Sequence, residues 1–410
     1  MLTWANQFST CCFLDNHQYR FNHQTYECLA GVGAVDYISL PAGNALQQLK
    51  LFQEKHDGWL FGHLGYDLKN ETEDISSAHP DYIGFPDLFF FVPQTVLLLS
   101  KDELCISAGN ADKAAQVFSA LNTTAAEQPA AQVTQVVFQP RFSKQQYIAT
   151  IEKLRAHILR GDCYEINFCQ EFFAENILIN PVSVYQSLST ISPSPFAAFY
   201  KMEEKYLLCA SPERYLKKLG NTIISQPMKG TGKRDLLNPE GDIFSKENLY
   251  NSAKDRSENV MVVDLVRNDL SKLCMEGSVQ VEELFGIYSF PQVHQMVSTV
   301  SGTLQPGVSF TDIVKTTFPM GSMTGAPKKK VMQLIEKYET VKRGIFSGAV
   351  GYITPVGDFD FNVVIRSILY NQSNKYLSYL VGSGITFYSR AMEEYEECLL
   401  KAAAIKQVFA

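Results

Sequence analysis

This chain of 410 residues has no long apolar run, no surplus of basic charge, no Cys-x-x-Cys pair and no internal repeat. Its longest apolar stretches, such as 88–92 and 96–99, fall far short of the roughly 20 residues that a membrane helix needs. No membrane span is expected. Its 36 basic residues against 43 acidic give a net charge of −7, and the only basic cluster is at 328–330. That balance excludes nucleic acid as the main partner. Nine cysteines and seven histidines are scattered without zinc-like spacing. Buried free thiols in a reducing cytoplasm are therefore expected, and a zinc site is not. Met1 to Gln7 lacks the basic start and apolar core of a signal peptide.

What is present is a globular balance, 46% hydrophobic and 19% charged, in a chain long enough for two or three domains or one large one. A stretch of low complexity at 122–132 reads as a linker. It suggests a strand-rich N-terminal subdomain (1–121), a linker (122–142) and a larger C-terminal domain (143–410). Ser143 is placed to cap a helix reaching about Arg160, with Tyr147, Ile148, Ile151, Leu154 and Ile158 as its apolar stripe and Gly161 as its stop. A strand over 163–173 puts Tyr164, Ile166 and Phe168 on one face and Glu165, Asn167 and Cys169 on the other. One long helix is expected over 245–273, another with Pro327 as its first residue, a strand over 358–369 and a closing helix over 390–408. The elements do not alternate as βαβ units, which favours α+β over a doubly wound sheet.

Several residues have the makings of chemistry. Tyr206 to Ser211, Tyr215 to Leu219 and Thr222 to Gln226 are strand-like, and Gly220-Asn221 is a two-residue hairpin turn. Pairing Leu219 with Thr222 sets Glu213 opposite Met228 and beside Lys229, to within one residue because Pro212 and Pro227 invite a bulge. An amine held against a carboxyl suits a nucleophile paired with an acid; a solvated lysine at a strand end is the plainer alternative. Glu394, Glu397 and Lys401 share a helix face, and Glu258 lies one turn before an apolar run. Such carboxylates suit a hard divalent cation, or form an acidic solvated face. Gly382-Ser383-Gly384 after an apolar strand, and Thr324 to Lys328 at a helix start, offer two places for an anion; a plain turn is the alternative at the first. Arg366 interrupts an apolar strand and needs a partner: a bound carboxylate, or Asp358 or Asp360.

In order along the chain stand Ser211-Pro212-Glu213-Arg214, Lys229-Gly230-Thr231, the run from Ala253 to Asn259, Thr324 to Lys328, Gly348 to Tyr352, Ile365-Arg366-Ser367, Gly382 to Ile385 and Glu393 to Glu397. This set resembles the chorismate-utilising enzymes, strongly over 143–406 and more loosely before it. That family includes anthranilate synthase component I, aminodeoxychorismate synthase component I, isochorismate synthase and salicylate synthase. The resemblance implies an anthranilate synthase component I-like fold, with antiparallel sheets packed as a sandwich, outer helices and a central cleft. Two positions narrow the branch. Glu165 stands where the water-activating members carry lysine, and Lys229 stands where anthranilate synthases usually carry alanine and aminodeoxychorismate synthases lysine. Phe346, where anthranilate synthases often have tyrosine, and the absence of their Leu-Leu-Glu-Ser signature also point to aminodeoxychorismate synthase component I, in the folate branch.

The resemblance further implies Lys229 and Glu213 as catalytic residues and Mg²⁺ held by Glu258, Glu394 and Glu397. Substrate contacts would come from Gly230, Thr231, Thr324, Tyr352, Arg366, Gly382, Ser383, Gly384 and Lys401, with Arg366 and Tyr352 on the enolpyruvyl carboxylate of chorismate. Lys229 would attack C2 as a neutral amine, its pKa lowered by burial or cationic neighbours. Glu213, kept protonated by an apolar or anionic setting, would protonate the departing C4 hydroxyl before ammonia adds at C4. With no Gly-x-Cys-x-Gly elbow in the chain, ammonia must arrive free or from a separate glutamine amidotransferase subunit. The family histidine on this strand is Gln295 here, and His294 should face the other way. Two alternatives stay open: an anthranilate synthase, which releases pyruvate, and a non-catalytic chorismate-binding subunit, against which the five residues Glu213, Lys229, Glu258, Glu394 and Glu397 speak.

Overall fold

The computed structural model describes every residue except 20–22, 24–25 and 125–134, so the middle of the expected linker lies outside the described residues. Two antiparallel sheets share the strand Leu88–Ser100. The first runs Glu103–Ser107, Leu88–Ser100, Cys28–Leu40, Thr10–Asp15, Phe196–Met202, Lys205–Ser211, Ser367–Asn371, Tyr376–Ile385 and Glu165–Ala174. The second continues from Leu88–Ser100 through Leu60–Leu64, Ala349–Ile353, Phe359–Asn362, Arg214–Leu219 and Thr222–Gln226 to Val293–Thr303, which also pairs with Gln280–Ser289 and Met228–Lys233. Tyr200, Cys209 and Leu380 of the first sheet share one core with Phe61, Tyr215 and Val300 of the second. The His63 ring meets Tyr200 edge-on at 5.4 Å.

Helices coat the sandwich. Lys144–Leu159, Pro181–Ile191, Lys328–Tyr338 and Ala391–Lys401 bury their apolar stripes on the first sheet. Ser143 caps the first of these in a reciprocal capping box with Gln146, and Tyr147, Ile151, Leu154 and Ile158 are buried, as the periodicity requires. Phe310 of Phe310–Thr317 stacks on Phe361 at 5.3 Å to cover the second sheet. No described helix is long and apolar enough to cross a membrane. All nine cysteines are free, and eight are buried.

Five expectations need correction. The segment 1–121 is not a separate unit, because Thr10–Asp15 pairs with Phe196–Met202 and Leu60–Leu64 with Ala349–Ile353. The helix over 245–273 is two, Pro239–Asn251 and Ala253–Ser271. Ser252 takes an extended backbone between them, and its side chain caps the second by accepting from the Asp255 N–H. The closing helix likewise divides at Ala402 into Ala391–Lys401 and Ala403–Val408. The strand over 358–369 is also two, Phe359–Asn362 and Ser367–Asn371, since the chain changes sheets between them. Pro327 is the N-cap rather than the first residue of its helix, with a φ of −68° and an extended ψ of 137°.

Arg343 fastens the strand Glu165–Ala174 in place. It donates to the carbonyls of Asn167 (2.8 Å) and Met323 (2.7 Å) and forms a two-pronged pair with Glu339, whose carboxylate accepts the Cys169 N–H at 2.9 Å. The Tyr66 ring closes over the guanidinium at 4.5 Å. Removing the cation strands a buried carboxylate. Arg343→Ala is therefore expected to lower the unfolding free energy by about 3–5 kcal/mol, read from urea denaturation; a loss under about 1 kcal/mol would contradict this.

Candidate active site

Glu213 and Arg366 sit where the chain passes between the sheets. Lys205–Ser211 lies in the first sheet and Arg214–Leu219 in the second; Phe359–Asn362 and Ser367–Asn371 make the return crossing. The crossings are tied together by the Val363 N–H to Glu213 O (3.0 Å) and the Ala210 N–H to Arg366 O (3.2 Å). The hairpin register is the expected one, Leu219 opposite Thr222, and a bulge between Arg214 and Lys217 shifts it by one residue. Lys229 enters from Met228–Lys233. Glu213, Lys229 and Arg366 line one cavity together with Gly230, Thr231, Glu258, Gly382, Gly384, Glu397 and Lys401. Asn167, Asp255, Gln295 and Phe346 complete much of its wall.

Lys229 Nζ lies 2.5 Å from Glu165 Oε1, with the lysine side chain 10% and the glutamate 0% exposed. Burial draws the amine's pKa down, but Glu165, Glu258 and Glu213 outweigh it and hold Lys229 above the ordinary lysine range. This overturns the expected depression: the resting nitrogen is an ammonium. Burial pushes the Glu213 carboxyl up to about 7, and nearby Ser322, Lys229, the Met228 N–H and Arg366 pull it back only in part. That is the direction a proton donor needs. Burial draws Arg366 down to about 10 against the pull of Glu213. Neither aspartate neutralises the guanidinium: Asp360 holds Arg214 at 2.9 Å and Lys217 at 3.5 Å, and Asp358 holds Lys218 at 3.1 Å. Of the partners considered for Arg366, an anionic ligand is the one left.

The expected metal-binding carboxylates lie alongside. Lys254 Nζ is 3.1 Å from Glu394 Oε1 and 3.9 Å from Glu258 Oε1, and Lys401 pairs with Glu397 at 2.8 Å. Burial pushes Glu258 up to about 8, with Lys229 and Lys254 opposing and Glu165 and Glu397 adding to the rise. At Glu397 burial opposes the charge, yet Lys401, Lys254 and Lys229 prevail and hold it below the ordinary range. Glu258 Oε1 and Glu394 Oε2 are buried with no hydrogen-bond partner among the described residues. Hard oxygen donors with unmet lone pairs fit a divalent cation. The three have not closed on one point among the described residues; an ammonium, Lys254, stands between two of them.

A family model of chorismate binding enzymes matches residues 11–407. The chain belongs to that family. Aminodeoxychorismate synthase component 1 of Klebsiella aerogenes is 32% identical over 348 residues, 85% of this chain and 76% of the relative. An anthranilate synthase component I-like protein of Synechocystis is 33% identical over 358 residues, 85% of this chain and 72% of the relative. The crystal structure of anthranilate synthase component I from Streptococcus pneumoniae TIGR4 superimposes with a TM-score of 0.83 at 25% identity, over 95% of this chain and 96% of that one. The expected sandwich is the fold of these chorismate-binding enzymes.

Four of the expected site residues lie outside the cavity wall of this chorismate-binding enzyme. Tyr352 packs among Tyr26, Trp59 and Phe61 and lines a different cavity with Arg214 and Asp360, so it does not join Arg366. Thr324 is buried and donates to the Met320 carbonyl at 3.1 Å. The anion cradle expected there is a short strand instead: Gly325 approaches so closely that a Cβ would lie 2.1 Å from Glu165 O, and Lys328 is taken by Asp269 at 2.9 Å. Strand alternation turns Ser383 away, towards Tyr147. Glu394 stands behind Lys254. His294 turns out to Asp242 and Ser289, while Gln295 faces the cavity and donates to Thr231 Oγ1 at 2.9 Å. Sequence reasoning missed Glu165 and Lys254 as members of the site. Their signals were the shared face with Asn167 and the i, i+4 spacing to Glu258.

Glu213 has a stability signature. Because its folded pKa is raised, the folded state keeps a proton that the unfolded chain has lost between about pH 4.5 and 7, so folding stability falls as pH rises through that window. Glu213→Gln is expected to remove about 3 kcal/mol of the loss between pH 5 and pH 8, measured by urea unfolding at the two values. An unchanged pH slope would show Glu213 already ionised at pH 5.

Proposed function

We propose that this chorismate-binding enzyme replaces the C4 hydroxyl of chorismate by an amino group, giving 4-amino-4-deoxychorismate for 4-aminobenzoate and folate synthesis. The observation that carries the reading is Lys229, a primary amine inside the cavity, beside a carboxyl that burial pushes up to about 7 and a guanidinium that neither Asp358 nor Asp360 neutralises. A cavity of this kind suits a diacid whose hydroxyl leaves as water. Arg366 takes the enolpyruvyl carboxylate, and the Gly382–Gly384 backbone borders the ring carboxylate. Glu258, Glu394 and Glu397 would hold Mg²⁺, with Lys254 displaced; the ion supplies charge neutralisation at the ring carboxylate.

As a free amine, Lys229 forms a bond to C2 while the C4–O bond breaks, and Glu213 gives its proton to the departing hydroxyl. Ammonia then adds at C4, the C2–N bond to lysine breaks, and the enolpyruvyl group stays on the product. Gln295 steadies Thr231 by its hydrogen bond but has no proton to give as an acid. Ammonia would be delivered by a separate glutamine amidotransferase subunit in the cytoplasm.

Incubation with chorismate, Mg²⁺ and ammonium is expected to yield an aminated product retaining the enolpyruvyl group, identified by mass spectrometry. Anthranilate fluorescence with pyruvate release would instead identify an anthranilate synthase, the reading that the Streptococcus pneumoniae structure represents. Lys229→Ala is expected to lose the lysine adduct, seen as protein mass plus chorismate less water, along with most turnover. Full turnover by that variant would exclude covalent catalysis.

A further inference from the structure

The amination reading leaves one step unassigned. Lys229 rests as an ammonium, and an ammonium has no electron pair with which to attack carbon. Four carboxyl groups influence it from the surrounding elements: Glu165, Glu258 and Glu213 across the cavity and Glu397 from the last helices. Glu213 must arrive at the reaction already holding the proton for the leaving hydroxyl. Glu258 and Glu397 are engaged with Lys254 and Lys401. Glu165 is the one described carboxylate in ion-pair contact with the amine, at 2.5 Å.

The pair occupies a made space. Gly384 lies across the ladder from Asn167, and a Cβ at Gly384 would come within 2.7 Å of Lys229 Nζ and 2.8 Å of Glu165 Oε1. A side chain there would require Lys229 or Glu165 to shift. Glu165 itself is held by its ladder to Ala326 and by the Arg343 clamp two residues on. Its Oε2 is buried with no hydrogen-bond partner among the described residues.

We propose that Glu165 is a positioning residue that takes a proton from Lys229 and so turns it into the nucleophile. The inference rests on the amination reading above. An Nζ–H bond breaks, an Oε1–H bond forms, and the electron pair stays on nitrogen. The pair carries no net charge before or after, so no unpaired charge is left on the buried Glu165 carboxylate. When the C2–N bond breaks at the end of the cycle, the amine recovers the proton from Glu165.

Glu165→Gln keeps the shape and removes the acceptor. With chorismate, Mg²⁺ and ammonium, kcat is expected to fall by about 100-fold or more while KM stays within about threefold. The variant's amine must release its proton to water. Its rate should therefore gain an ascending limb, about tenfold per pH unit, that the parent lacks. Glu165→Ala, checked for folding by its thermal midpoint, should recover rate on addition of formate. Parental kcat and pH profile in Glu165→Gln, or no formate rescue in folded Glu165→Ala, would overturn the inference. Lys229→Ala separates the two readings: if it keeps full turnover, covalent amination fails and this role fails with it. If it is inactive while Glu165→Gln is unimpaired, only the role of Glu165 falls.

Discussion

The site depends on one constraint: the chain has to change sheets twice at the same place. At a crossing the backbone leaves its ladder, and here the two crossings satisfy each other, Val363 to Glu213 and Ala210 to Arg366. Arg366 takes a left-handed φ of 52°, which a branched or bulky residue adopts only when its surroundings enforce it. The crossings set the Glu213 carboxyl, which is buried, and the Arg366 guanidinium, which is half-buried, on one cavity wall. Burial then bears on their chemistry, pushing Glu213 up to about 7 and drawing Arg366 down to about 10.

Much of this was legible locally, and what was not has a physical reason. The hairpin announced itself through Gly220-Asn221, and the two prolines announced its bulge. Neither feature needs knowledge of distant residues. The helix break at Ser252 was missed because apolar periodicity runs over it, whereas the capping hydrogen bond to Asp255 belongs to one residue. The linker composition suggested a domain boundary, but strands on either side of it pair into common sheets. Composition reports how well a segment is solvated, not which edge its neighbours seek. Tyr352 was misplaced for a related reason: a motif fixes its order along the chain, while its cavity depends on which face of a strand looks inward.

The Lys229 pKa shows the same limit in electrostatic form. The family resemblance implied a buried lysine, and burial alone would have favoured the neutral amine. The sign is set by Glu165, on a strand more than sixty positions earlier, brought into contact by ladders to Tyr376–Ile385 and Gly325–Ala326. Alternation had placed Glu165 on the correct face. Only the sheet order could say what that face meets.

Charge balance connects these pieces. In and beside the cavity stand four cations, Lys229, Lys254, Arg366 and Lys401, and six carboxyl groups, Glu165, Glu213, Asp255, Glu258, Glu394 and Glu397. Burial pushes Glu213 and Glu258 up to about 7 and about 8 and raises Asp255 as well, which brings the negative charge down towards that of the cations. A near balance gives a dianion little net attraction, and burying two more negative charges unaided is costly. The proposed substrate is a dianion, and the proposed ion is divalent. Together they enter as a neutral load, which a cavity near balance can accept without recruiting charge from outside. The same economy holds at the nucleophile, where a proton moving from Lys229 to Glu165 rearranges charge within a neutral pair.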